Sequence, residues 1–136
     1  MKIYIASKFE NQDAFRELKE ELEHAGHKIT HDWTREEVFA NSRTLKQDLS
    51  EFAKLDMDGV TSCNALVLLA APKMAGAFVE LGIALALGKM ILVVDGYKEG
   101  NPPCIFYNLP FIHHLRRDQV LSWLGPIPTA TFETCY

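Results

Sequence analysis

Long apolar runs are missing from this chain of 136 residues; the longest, at residues 65–70 and 90–94, are far from the ~20 needed to cross a bilayer. The opening MKIYIASKFENQ turns polar almost at once, so no secretory leader is expected. Cysteine is sparse: Cys63, Cys104 and Cys135 are odd in number and lack a CxxC spacing, which excludes a disulfide framework and points to reduced thiols in the cytoplasm. Among five histidines only His113 and His114 adjoin, and neighbours on a strand or helix point apart, so no metal site is expected. Basic residues are outnumbered 14 to 18, a net charge of −4 that speaks against nucleic acid or an anionic membrane as partner. Glycine is absent where a dinucleotide would need it. After the first β-type run the chain reads ASKFEN, with no GxGxxG and no GxxxxGK[ST] anywhere.

The stretch Asn64 to Asp95 organises what is present. Apolar runs at 65–70 and 90–94 flank a helix-like segment at 76–87, the order of a βαβ unit whose parallel strands are buried on both faces. Ahead of it, Lys2–Ala6 is a short β-type run, and residues 11–25 place Phe15, Leu18 and Leu22 on one helix face with Gly26 as cap. Residues 28–31 read as a second strand leading into His31-Asp32-Trp33-Thr34, and 35–43 as a surface loop or irregular helix. Residues 44–62 form an amphipathic helix. Beyond the unit, 97–103 is turn chemistry, 104–107 a fifth strand, 117–124 a short helix and 125–136 a tail without period. This alternation predicts one α/β domain over 1–136, a flavodoxin-like or Rossmann-like three-layer sandwich on a parallel five-stranded sheet.

Ligands of such sheets bind at the carboxyl ends of the strands, and Glu80 stands about one turn past the loop after the first run of the unit. An acid in a helix's first turn commonly serves only the helix dipole. Val79, Leu81, Ile83 and Ala84 surround this one, however, and an unpaired carboxylate is costly to bury. A carboxylate kept ionised near a helix N-terminus suits a nucleophile or a stabiliser of developing positive charge. Asp56 is its candidate partner, or else a solvated helix residue. Tyr4 occupies the middle of the first strand, where tyrosine is ordinarily core or edge. His31 and Trp33 end the second strand; Trp33 fits stacking on a planar ligand and core packing equally well.

Four segments together resemble one family: KIYIAS at 2–7, GHKITHDWT at 26–34, LDMDGVTSCNALVLL at 55–69 and GAFVELGIALALGK at 76–89. They are similar to the nucleoside 2-deoxyribosyltransferases and their relatives, the deoxynucleoside 5′-monophosphate N-glycosidases, from Lys2 to about Leu124. The resemblance implies that Glu80 of the ELG motif attacks the anomeric carbon. It implies that Asp56 of the D-x-x-G stretch is general acid or sugar-orienting, and that Tyr4 lies near the nucleophile. Ser7 and Phe9 match the ligand-facing loop, His31 and Trp33 the base pocket. Met74 stands where relatives carry Asp near the base or Ser near phosphate, just before Gly76, and Asn64 replaces a usual aspartate. Ser7, Lys8 and Lys73 are the groups near enough to hold a 5′-phosphate, a sparse set that favours a nucleoside over a nucleotide.

The chemistry so implied is double displacement at a glycosidic carbon, completed by a second base or by water. Partners are a nucleoside or nucleotide and a free nucleobase. No metal or organic cofactor is implied, and by resemblance a homo-oligomer completes the site, with 106–111 and the tail as candidate contacts. The rivals are a nucleotide 5′-monophosphate hydrolase, a non-catalytic nucleotide-sensing module and a TIR-like NAD-cleaving domain.

Overall fold

The computed structural model describes residues 1–35, 42–101 and 104–126, the side chains of 42–47 apart. In chain order it runs β1 (Lys2–Ala6), α1 (Gln12–His24), β2 (Lys28–Ile29), α2 (Ser42–Ser62), β3 (Ala65–Leu69), α3 (Gly76–Ala86), β4 (Met90–Val94), β5 (His113–Leu115) and α4 (Val120–Leu124). Short 3-10 turns occupy Trp33–Arg35, Ile105–Asn108 and Arg117–Gln119. The five strands lie in the order β2-β1-β3-β4-β5, every pair parallel, which is the predicted α/β sandwich.

Strand chemistry explains the layout. β3 is buried along its whole length and β4 at all but its first residue, as continuous apolar runs at the centre of a parallel sheet require. In α1, Phe15, Leu18 and Leu22 are buried, and Gly26 with φ 96° supplies the left-handed turn that ends the helix. The Asn64 side-chain oxygen accepts the Lys2 amide at 2.8 Å and fixes β3 beside β1, a structural role.

One expected element is elsewhere. Residues 104–107 have β-type composition, yet the Tyr107 amide bonds back to the Cys104 carbonyl at 3.0 Å and closes a 3-10 turn. That turn buries Tyr107 and leaves Ile105 exposed. The fifth strand is His113–Leu115, which registers Leu92 against His113 on β4. Of the other expectations, residues 36–41 of the predicted loop, Pro102 and Pro103 of the turn, and the tail from 127 on lie outside the described residues.

From β1 the chain steps outward to β2, then crosses back over β1 to β3 and onward to β4 and β5. The reversal makes the gap between β1 and β3 the switch point, where the carboxyl ends of the strands part to admit a ligand. Right-handed crossovers put α1 on one face and α2 with α3 on the other; α2 and α3 indeed pack on each other. Alternation along β1 then turns Tyr4 toward α2 and α3. Among the described residues no helix is long and apolar enough to cross a membrane.

Candidate active site

A cavity of about 300 Å³ opens at the switch point, lined by Ser7, Lys8, Phe9, Glu10, Trp33, Asp56, Lys73, Ala75, Gly76, Ala77 and Glu80. The walls come from strand-end loops, the first part of α3 and the last part of α2. The loop after β1 brings Ser7, Lys8 and Phe9, the loop after β3 brings Lys73 and Ala75, and α3 and α2 bring Glu80 and Asp56.

Glu80 is 8 % exposed and shares the inner face of α3 with Ala77, Leu81 and Ala84. It lies about one turn into α3, where its spacing from the loop predicts it, and the helix's first turn carries no acid. What meets the carboxylate is a phenol. Tyr4, wholly buried in β1, donates its hydroxyl to Glu80 Oε2. The residue so held also lines the cavity.

Asp56 reaches the same cavity from α2, its side chain about a quarter exposed, and His31 Nε2 stands 3.3 Å from its Oδ1. His31, expected in the base pocket, stands against Asp56, a residue of the cavity wall. Trp33 resolves toward the core: it is buried, its indole N–H donates to the Ile5 carbonyl at 2.7 Å, and its ring packs on Phe15 at 4.7 Å. Only part of it reaches the cavity. The exposed aromatic there is Phe9, whose ring sits 6.1 Å from Trp33. Asp32 braces this turn. Burial works to raise its carboxyl, but hydrogen bonds from the Thr34 hydroxyl, the Lys19 ammonium and the Thr34 amide outweigh that and hold it below its ordinary value.

Ser7 lines the cavity with a hydroxyl already engaged, donating to the Leu69 carbonyl and accepting from Asn11 Nδ2, both at 2.9 Å. It ties the end of β1 to the end of β3. Met74 packs half-buried against the core rather than on the cavity wall, whereas Gly76 does line it. The loop carrying Met74 bends at Lys73, where a φ of 60° puts a non-glycine residue in the left-handed region. Lys8 and Lys73, singled out in the sequence as phosphate candidates, both reach the cavity. Glu10 does too, with no sequence signal to announce it. Among the described residues no group of three or more His, Cys, Asp or Glu could hold a metal ion.

A sequence model described as nucleoside 2-deoxyribosyltransferase matches residues 3–101. The chain belongs to that family. The match takes in Tyr4, Asp56 and Glu80 and both loops of the cavity. Among solved structures the chain is similar to the CMP N-glycosidase BcmB of Clostridium botulinum, with 20 % identity and a TM-score of 0.62 over 91 % of this chain and 98 % of that one. At that identity the likeness is one of fold, the fold of this family. No curated protein matches the chain. Family membership supports glycosyl transfer or cleavage on nucleosides or nucleotides as the general activity.

Proposed function

We propose that this member of the family cleaves the N-glycosidic bond of 2′-deoxyribonucleosides through a covalent deoxyribosyl ester on Glu80, and passes the sugar to another nucleobase or to water. The observation that carries the reading is Glu80 itself: a desolvated carboxylate on the wall of the switch-point cavity, held by the Tyr4 hydroxyl. In the proposed step one Glu80 oxygen bonds to C1′ while the C–N bond breaks through an oxocarbenium-like state. Tyr4, bound to Oε2, aims that carboxylate and spreads its charge. Asp56, supported by His31, delivers a proton to the departing nitrogen base or orients the sugar. Phe9 offers an apolar ring for a base to lie against, and Ser7 and Gly76 shape the walls. The ester is then opened by a second base or by water, according to how dry the occupied cavity is.

A 5′-monophosphate substrate is the second reading, favoured by the side chains of Lys8 and Lys73 on one small cavity. It agrees with the CMP named for BcmB. The chain is proposed to work in the cytoplasm as a homo-oligomer, in keeping with its resemblance to the family, without metal or organic cofactor. Chromatography of deoxynucleosides, deoxynucleoside monophosphates and NAD, each incubated with protein in the presence and absence of free adenine, tests all of this at once. Base release from deoxynucleosides that Glu80→Gln abolishes is the expected result. Release only from monophosphates would select the second reading, and release only from NAD, or none, would overturn both.

A further inference from the structure

Gly59 is a glycine in the interior of a helix, where it costs about 1 kcal/mol relative to alanine and ordinarily signals a close approach. No left-handed φ calls for it; its reason is space. A Cβ built on Gly59 would lie 2.9 Å from His31 Cβ and 2.9 Å from both Cδ2 and Cε2 of Tyr4. Contacts that short do not occur, so α2 can sit at this distance from β1 only because the position carries no side chain. Neither obstacle is the far end of a flexible chain: Tyr4 is wholly buried, and the His31 atom is bound directly to the backbone.

The two residues that crowd Gly59 are the two that hold the acids. Tyr4 donates to Glu80 and His31 stands against Asp56. Asp56 itself lies one turn before Gly59 on the same helix face, and the Gly59 carbonyl accepts the Thr30 hydroxyl at 2.8 Å, which pins α2 to the end of β2. We infer that Gly59 is a positioning residue for both carboxylates at once: by letting α2 close onto β1, it sets where Tyr4 holds Glu80 and where His31 holds Asp56. The D-x-x-G spacing then has a mechanical meaning. The acid and the residue that sets its depth lie one turn apart.

This inference rests on the proposed roles of Glu80 and Asp56, and its test is built to fail separately from them. In Gly59→Ala, base release is expected to lose about a hundred-fold in kcat, the scale of an ångström-sized misplacement, with KM little changed. NMR resonances of the Tyr4 ring and the His31 imidazole should move while those of Tyr97 and His113 stay. A Gly59→Ala kcat within about twofold of wild type, a loss that vanishes on correction for the folded fraction, or unmoved Tyr4 and His31 resonances would each overturn the inference. If wild type releases no base, the proposed function falls, and the resonances alone decide the role of Gly59. If Gly59→Ala does not fold, it is made in a Tyr4→Val/His31→Gly background that itself folds with glycine at 59 and that removes both obstacles, the ring and the His31 Cβ. Recovery of a cooperative unfolding transition there supports the inference, and continued failure to fold overturns it.

Discussion

Two crevices open at the carboxyl ends of the same sheet, one between β1 and β3 and one beside β4 and β5. The second is the larger, about 640 Å³ against about 300 Å³, and it too has an acid, a lysine and an aromatic ring in Asp95, Lys98 and Tyr97. They differ in how their polar groups are spent. Around β4 and β5 the groups answer one another in the open. Tyr97 donates to Asn108 at 2.6 Å, Arg116 pairs with Asp118 at 3.2 Å, and the Asp95 carbonyl closes its own loop by accepting from Asn101. At the switch point a carboxylate is drawn out of water and met by a buried phenol. Strand ends provide a place for a ligand; a desolvated acid provides a reason for chemistry, and size decides nothing.

That contrast can be broken most directly at Glu80. Glu80→Gln is expected to lower turnover by on the order of 10⁴-fold or more while leaving thermal stability equal or raised, read by base release and a melting curve. Asp56→Asn should cost about 10²- to 10⁴-fold, the range for losing a general acid, with His31→Gln costing less because it acts through Asp56. Near the other crevice the expected effect is on stability alone. Burial, with the charges of Cys104 and Tyr97, pushes the Tyr107 phenol up to about 12. The folded chain therefore keeps this proton more tightly than the unfolded chain does. Its contribution is complete below pH ~10 and is lost as pH rises toward ~12, a fall of roughly 1–3 kcal/mol that Tyr107→Phe should flatten in denaturant titrations. Asp95→Asn is expected to do least, about 0.5 kcal/mol or less in stability and no loss of turnover. A large loss of activity there would erase the distinction between the crevices.

Sequence patterning carried most of the fold because the central strands are buried on both faces. β1 and β4 fall on the residues their apolar runs predict, and β3 and α3 end one residue short of expectation. It failed at the sheet margin. His113–Leu115 is a strand by virtue of pairing with β4, a non-local fact, whereas the more β-like residues 104–107 are curled by a local turn. At the site, Glu80 was legible as a charge inside an apolar helix, Asp56 and Tyr4 through family resemblance. The placements of His31 behind Asp56 and of Gly59 under Tyr4 depend on how α2 meets β1, and that of Met74 on how the loop after β3 folds onto the core. No period or spacing within one segment encodes that.

The two margins of the sheet have a consequence for whether a further strand can join it. β2 contributes two residues beginning with an exposed lysine, and β5 three beginning with two exposed histidines. Such short, hydrophilic borders offer almost no ladder for a further strand to join, while the strongly β-forming runs lie in the middle. Growth by strand addition at these two described edges is disfavoured by construction.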